Sequence, residues 1–315
     1  MGIMINVPGA NYSAKNLGVA HPTDVLPIEA IAVIGESSII GVAAFYARLY
    51  PIFTTQRNIA WSIVSGNSYA TISASGVVTP ESGVISQSVT IRCTSTDNPS
   101  IYGEKTISVT DDAALPTIGT TIKFDGLSAI DTGINASMPT EIQVTLAEMY
   151  PADWGVLSGN ASTSILIGGR ESSNSKRRDI QLQAIGQTAT INIIVFGVGE
   201  TSKNIENLSL SPSAELYLAQ GPTFYQYNQT TVARTSQDTF DSSAHYVIGA
   251  QNNNGTIQYT YASHDKFKRV KIFATEGGTL LGDFVPAIKN GVPGMWDYVT
   301  QTFFTNIGTG TFIVQ

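Results

Sequence analysis

Two short aromatic runs carry the residue types that sugar-binding sites use. Tyr225 and Tyr227 alternate and are followed by Asn228, and Tyr259 and Tyr261 repeat the alternation further along the chain. Aromatic rings pack against sugar faces, and amide groups hydrogen-bond sugar hydroxyls. A spacing of two places each tyrosine pair on one face of a strand. These five residues are therefore the predicted carbohydrate-binding residues, although β-propensity alone also produces alternating tyrosines.

Residues for catalysis are sparse by comparison. A glycoside hydrolase needs two carboxylates that face each other at about 5 to 9.5 Å. The strand-like run 141–145 holds one acid, Glu141, where such a strand would carry several on one face. His21, His245 and His264 are far apart in the chain, and no Gly-x-Ser-x-Gly elbow accompanies them. We expect no catalytic residues and a protein that is not an enzyme.

The composition does not predict binding of metal ions or nucleic acids, or insertion into a membrane. The three histidines and the one cysteine, Cys93, are far apart in the chain and show none of the short ligand spacings typical of a zinc site, so zinc is not predicted. Calcium ligands could come from Asp125, Asp131, Asp153 and residues 252–254, but no spacing singles out a set, so no cofactor is predicted. The net charge of −7 gives no field to attract nucleic acid. No apolar run approaches the ~20 residues that cross a bilayer.

Positive charge is concentrated in residues 170–179, which hold four basic side chains, Arg170, Lys176, Arg177 and Arg178, among serines and one asparagine. Acidic residues at both ends dilute the charge, and no aromatic residues interleave as stacking on single-stranded nucleic acid would require. We interpret this segment as a solvated loop. An acidic glycan or a neighbouring subunit is the alternative partner for it.

The elements that must position these residues are predicted to be strands. Short alternating runs bounded by Gly, Asn, Ser and Pro recur along most of the chain, whereas sustained helical periodicity is hard to find. The fold class is therefore all-β. The 315 residues, 42% of them hydrophobic, supply apolar surface for more than one core. Residues 111–116 (DDAALP) interrupt the strand pattern, which predicts domains at 26–112 and 117–315.

Residues 1–25 form a third region, with too few apolar residues to build a core. No basic residue precedes the apolar run at its start, so the region does not match a secretory signal. We predict an extended N-terminal arm. Its spaced apolar residues Val7, Tyr12, Leu17 and Val19 are the predicted anchors to another protein or subunit.

The first domain carries a family resemblance. Residues 59–63 (IAWSI), 69–73 (YATIS) and 75–79 (SGVVT) resemble the group 2 bacterial immunoglobulin-like domains in order and spacing. The resemblance implies an immunoglobulin-like β-sandwich that acts as a spacer or an adhesive module. Trp61 is expected in its core, and Cys93 is expected to be a small core residue rather than a reactive thiol.

The second domain is similar to another family at both of its ends. Residues 122–126 (IKFDG) and 130–134 (IDTGI) resemble the opening of concanavalin A-like, laminin G-like domains of phage and gut-bacterial surface proteins. The closing pattern of those domains is similar to residues 283–286 (DFVP), 294–297 (GMWD) and 308–312 (GTGTF). The resemblance implies a lectin-like jelly-roll sandwich.

An arm, an immunoglobulin-like spacer and a lectin-like domain in this order resemble a bacteriophage virion surface protein, a fibre or decoration protein of the head or tail. This implies a structural protein assembled in the bacterial host cytoplasm and displayed on the virion surface. Its expected partners are capsid or tail proteins, further copies of itself in a homo-oligomer, and a host-surface glycan. Two alternatives stay open: a bacterial cell-surface carbohydrate-binding protein, and a glycan-degrading enzyme.

Overall fold

A computed structural model of the chain describes most of its residues. The described ranges are 26–137, 140–157, 161–171, 177–185, 191–198, 201–206, 208–234 and 242–315. They consist almost entirely of strands and turns, so the all-β prediction is confirmed. None of the helical segments among them has the length and apolar character needed to span a bilayer. The predicted arm, with Val7, Tyr12, Leu17 and Val19, lies outside the described residues.

The chain divides into two compact units, Met1–Leu115 (unit 1) and Pro116–Gln315 (unit 2). The last residues of unit 1 are tied to it by Asp111. One carboxylate oxygen of Asp111 accepts a hydrogen bond from the Ala113 N–H and so caps a short 3-10 turn at Asp112–Ala114. Its other carboxylate oxygen accepts from the Gly83 N–H at 2.9 Å.

Unit 1 is built from nine strands in its described part. They are β1 Ala30–Ile34, β2 Ser38–Ile40, β3 Ala43–Ala44, β4 Tyr46–Tyr50, β5 Ile59–Ser65, β6 Ala70–Ile72, β7 Val77–Pro80, β8 Gln87–Ser95 and β9 Tyr102–Thr110. They form a four-stranded sheet in the order β2-β9-β8-β5, a three-stranded sheet β3-β7-β6 and a pair β1-β4.

The core of unit 1 follows from the alternation on its strands. On β8, Val89, Ile91 and Cys93 point inward and are fully buried. Phe45 and Val78 join them from the neighbouring elements. Trp61 is partly buried and packs against both hydrophobic clusters of the unit. Burial of these side chains supplies the driving force that holds the sheets together.

Unit 2 contains twenty strands in the described ranges. They are β10 Thr117–Ile118, β11 Ile122–Lys123, β12 Ile130–Asn135, β13 Glu141–Glu148, β14 Gly155–Leu157, β15 Ala161–Arg170, β16 Arg177–Ile185, β17 Ile193–Val198, β18 Thr201–Ile205, β19 Leu216–Gln220, β20 Phe224–Tyr227, β21 Thr230–Ala233, β22 His245–Ile248, β23 Gln251–Asn253, β24 Thr256–Gln258, β25 Lys266–Phe273, β26 Leu280–Lys289, β27 Val292–Asp297, β28 Thr302–Phe304 and β29 Ile313–Val314.

These strands form two sheets around one core. Among the described residues the larger sheet has the order β21-β20-β19-β13-β25-β26-β27-β28, with β10, β11 and β29 added beside β25 and β26. The smaller sheet has the order β12-β22-β15-β16-β17-β18, with β14, β23 and β24 added beside β15. A single hydrophobic cluster takes side chains from both sheets. Its members are buried because successive residues of a strand point to opposite faces, and one face of each sheet covers the other sheet.

The basic segment at 170–179, predicted as a solvated loop, is described only at its ends: Arg170 ends β15, residues 177–179 begin β16, and residues 172–176 lie outside the described residues. Arg178 lies on β16 and is fully buried, because it shares the inward face with Ile180. Its guanidinium group donates to the backbone carbonyls of Thr140 and Gln220. The charge is therefore solvated by buried protein oxygens rather than by water.

Candidate functional site

The structure places the first predicted tyrosine pair against the core. Tyr225 and Tyr227 lie opposite Gln220 and Leu218 on the neighbouring strand β19, and those two residues are fully buried. Tyr225 is only 6% exposed, and its ring stacks on that of Phe196 with centroids 5.1 Å apart. The ring faces needed for a sugar are already occupied. The predicted role of Tyr225 in an exposed platform is therefore corrected, and Tyr227 packs against the same core.

Asn228 serves the turn between β20 and β21. Its φ of 48° is in the left-handed region, which asparagine adopts more readily than most residues. The side-chain oxygen accepts a hydrogen bond from the Tyr217 N–H at 3.0 Å, and its own N–H donates to the Tyr217 carbonyl at 2.7 Å. The amide is therefore used to tie this turn to the neighbouring strand β19.

Tyr259 and Tyr261 do not form a pair on a strand. They follow β24 in a turn that is closed by a hydrogen bond from the Ala262 N–H to the Tyr259 carbonyl at 3.0 Å. Both side chains are partly buried, and burial raises the pKa of Tyr259. This turn belongs to the smaller sheet, whereas Tyr225 belongs to the larger one. The five predicted residues are thus not gathered in one site.

Asp125 and Asp131, two of the acids considered as calcium ligands, are engaged by the chain itself, and Asp153 is exposed in the turn before β14. Asp125 accepts hydrogen bonds from the Thr311 N–H at 2.6 Å and the Leu127 N–H at 3.1 Å. Burial alone would raise the pKa of Asp125, but these hydrogen bonds bring it below its ordinary value. Asp131 lies 3.0 Å from His245 Nδ1. The described ranges contain no group of three or more acidic, histidine or cysteine residues placed to hold a metal ion.

Asp265 is a buried carboxylate with a structural role. Its Oδ1 accepts hydrogen bonds from the Tyr150 N–H and Trp154 Nε1, and its Oδ2 accepts from the hydroxyls of Ser164 and Ser263. Burial raises the pKa of this carboxyl despite the four donors. Asp265 thereby fixes the turn that precedes β14 against the start of β25.

A shallow cleft of about 220 Å³ lies on the outward face of the larger sheet of unit 2. It is lined by Gln143, Thr145, Tyr217, Arg269 and Lys271 from the adjacent strands β19, β13 and β25. Thr145 lies opposite both Tyr217 and Arg269, and Gln143 lies opposite Lys271 in the next row. The short Thr145 side chain between two long ones gives the cleft its floor.

The alternation of β13 explains why this face is polar. Ile142, Val144 and Leu146 point into the core and are fully buried, so Gln143 and Thr145 must point outward. The same rule turns Tyr217 on β19 outward, between the buried Leu216 and Leu218. Packing of the core therefore fixes the direction of the cleft residues.

Arg269 is held in place by a bidentate ion pair. Its Nε and Nη2 lie 2.6 and 2.5 Å from the two carboxylate oxygens of Asp283, whose side chain is only 7% exposed. Paired donors in this geometry fix the plane of a guanidinium group. The remaining donors of Arg269 can contact a ligand without reorganisation.

Lys271 contrasts with Arg269, since its ammonium group has no ion-pair or hydrogen-bond partner among the described residues. Asp283 lies directly opposite Lys271 on β26, but both of its carboxylate oxygens are bound by Arg269. Another acid on this face, Glu141, is also engaged. Its two oxygens accept from Gln143 Nε2 at 2.6 Å and from the Gly277 N–H at 2.8 Å. The cleft therefore offers one unpaired positive charge beside an oriented amide.

Tyr217 adds an aromatic ring with a neutral hydroxyl. Burial and the charge of Glu141 raise the pKa of Tyr217, so the hydroxyl keeps its proton through neutral pH. The ring is only partly buried. The cleft thus combines an aromatic surface, hydroxyl and amide groups and a cation, which suits binding through hydrogen bonds and charge.

Comparisons with known proteins found similarity to solved structures but no match to a protein-family model or a curated protein. One solved structure to which it is similar is that of a putative carbohydrate binding protein from Bacteroides ovatus. The two share 11% sequence identity with a TM-score of 0.40, over 90% of this chain and 97% of that chain.

Proposed function

We propose that unit 2 binds glycans through the cleft on its larger sheet and that the chain is a non-enzymatic adhesive protein. The observation that carries the proposal is the grouping of Tyr217, Thr145, Gln143, Arg269 and Lys271 on one outward face. Sugar sites in proteins are shallow, and they combine an aromatic ring with fixed hydrogen-bonding groups. The core of the sandwich holds the strands that present these groups.

The unpaired ammonium group favours a sugar that carries a negative charge. Asp283 neutralises Arg269, and Glu141 is held by Gln143 and Gly277, so Lys271 is the group left to meet a ligand anion. A carboxylate or sulfate on the sugar would give Lys271 the direct ion-pair partner that it lacks among the described residues. We therefore propose an acidic glycan as the ligand.

The setting we propose is the surface of a bacteriophage virion, where the protein would act as a head or tail fibre or decoration protein. Support comes from the sequence resemblances of residues 59–79 and of the two ends of unit 2. Symmetric assembly of several copies would raise the avidity of one weak site, so we also propose a homo-oligomer. Capsid, portal and tail genes beside the gene for this chain would support the virion setting over a bacterial cell surface.

Binding of the full chain to a panel of neutral and acidic glycans tests the proposed function. Tyr217→Ala is expected to weaken all binding at least about tenfold, because ring stacking contributes on the order of 1 kcal/mol or more. Lys271→Met should weaken acidic glycans selectively. Lys268→Met is the matched control, since Lys268 lies on the same strand but pairs with Glu215.

Two outcomes would contradict the proposal. Glycan binding that is unchanged by Tyr217→Ala would place the site elsewhere. Release of reducing ends during incubation with the bound glycans, abolished by substitution of one acid, would make the protein an enzyme instead. If binding depends on Tyr217 while Lys271→Met has no effect, the cleft binds neutral sugars and only the acidic preference is wrong.

A further inference from the structure

A second groove lies in unit 1 and has a different character. It has a volume of about 450 Å³ and is lined by Ile34 of β1, residues 46–49 of β4, and Ile52 and Arg57 of the loop that follows. Much of its rim is apolar and exposed: Tyr46 is 68% and Ile52 is 62% exposed. Large apolar side chains grouped at such exposures mark interaction surfaces.

The groove runs along β4 and also takes in Ile34 of β1, which is paired with Tyr46. A strand shows alternate residues to each face, yet four consecutive residues, 46–49, line this groove. Among the described residues β4 pairs with β1 alone. Its other edge therefore presents backbone N–H and C=O groups to which an extended segment could add as a strand.

The described part of the chain begins beside this groove. Leu26 is held against the loop after β4, because its N–H donates to Thr55 Oγ1 at 2.9 Å and its carbonyl accepts from the N–H groups of Thr55 and Gln56. The same loop supplies Ile52 and Arg57 to the groove. Residues that precede Leu26 therefore start within a few residues of it. Six extended residues reach about 20 Å, enough to follow a five-residue strand.

We propose that residues 1–25 of this chain bind in the groove of their own unit 1 and add a strand to the open edge of β4. Leu17 and Val19, two residues apart, would place both side chains on one face, against the exposed apolar rim. Covalent attachment gives this segment an effective concentration of about millimolar, so weak contacts suffice. The sequence analysis predicted that this segment binds another protein or subunit. The proposal here is that its binding site is the groove of the same chain.

Hydrogen exchange of residues 46–50 tests the proposal in the full chain and in a chain that begins at Leu26. The amides of β4 that face the open edge are expected to exchange at least tenfold faster after the truncation. A synthetic peptide of residues 1–25 should restore their protection in the truncated chain and should not bind the full chain. Unchanged slow exchange of β8 and β9, the central strands of unit 1, verifies that unit 1 is folded in the truncated chain.

Substitutions within the segment provide the matched control. Leu17→Asp and Val19→Asp together should reproduce the fast exchange of the truncated chain, whereas Ser13→Asp should not. Equal exchange of β4 in the full and truncated chains would overturn the proposal. Protection that increases with protein concentration would also overturn it, because the groove would then be filled by a second copy.

Discussion

Cys93 shows how the environment of a single residue sets its chemistry. Its side chain is fully buried beside Ile28 and Ile31, and its strand neighbour across β5 is Trp61. Burial disfavours the thiolate and raises the pKa of the Cys93 thiol to about 11. The alternation of Val89, Ile91 and Cys93 predicted this core position from sequence.

Labelling of Cys93 by iodoacetamide is expected to be slow in the folded protein. At pH 8 a thiol with a pKa of about 11 is ionised roughly 100-fold less than an exposed one. Mass spectrometry should show labelling in urea and almost none without it. Because folding raises this pKa, the free energy of unfolding should fall as the pH rises from 9.0 towards about 11, and Cys93→Ala should remove that part of the slope. Fast labelling of the folded chain at pH 8 would contradict the buried position.

The predicted binding tyrosines illustrate what residue types cannot decide. The sequence identified chemistry that suits sugars, but the direction of Tyr225 depends on its neighbour Gln220, which is fully buried on β19. A shift of one residue in the pairing would turn Tyr225 outward. Register depends on how two strands pair, so the alternation within 224–227 alone could not predict which way Tyr225 points.

Among the elements, the hairpin of β6 and β7 depends on one glycine. Gly76 has a φ of +81°, in the left-handed region, and its N–H donates to the Ser73 carbonyl at 3.0 Å. A Cβ at this position would lie 2.6 Å from the Phe45 carbonyl oxygen and 2.8 Å from Cε2 of Trp61. Backbone conformation and close packing therefore both require glycine here.

Gly76→Ala is expected to lower the free energy of unfolding of unit 1 by roughly 2 to 4 kcal/mol, from backbone strain of about 1 and overpacking of about 1 to 3. Gly83→Ala is the matched control, because its φ is +78° but nothing lies within 4 Å of the added Cβ. The control should cost only about 1 kcal/mol. Urea titration of both variants measures the difference, and equal losses would show that the contact with Trp61 costs nothing.

The strands were largely predictable, but the cleft between them was not. Alternation within 141–145 gave the strand β13 and its outward side chains Gln143 and Thr145. Polar outward residues are also what an ordinary solvated face would carry. Only the pairing of β13 with β19 and β25 brings Tyr217 and Lys271 beside them, and these partners are distant in sequence. A search for an aromatic residue and a cation at outward positions of several strands could have selected them.

At the scale of the whole molecule, each unit has its own sheets and its own core. The cluster around Phe45 and Ile91 belongs to unit 1, and the cluster around Phe124 and Leu182 belongs to unit 2. Domains with separate cores fold separately. Chains of residues 26–115 and 116–315 should therefore each show a single cooperative melting transition. A fragment without a transition, while the full chain retains one, would contradict this independence.

The pairing of β11 with β29 sets the order in which the chain can fold during synthesis. Ile122 lies opposite Val314, and the Thr120 and Thr121 N–H groups donate to the carbonyl of Gln315. All contacts of unit 1 can form once residue 115 has left the ribosome, but the larger sheet of unit 2 must wait for residues 313–315 to be translated. Contacts between residues so distant in sequence also form slowly. Until residues 313–315 are translated, unit 1 can therefore be folded while the early strands of unit 2 still have unpaired edges. Unpaired edges favour aggregation, so a chaperone would act mainly during this interval.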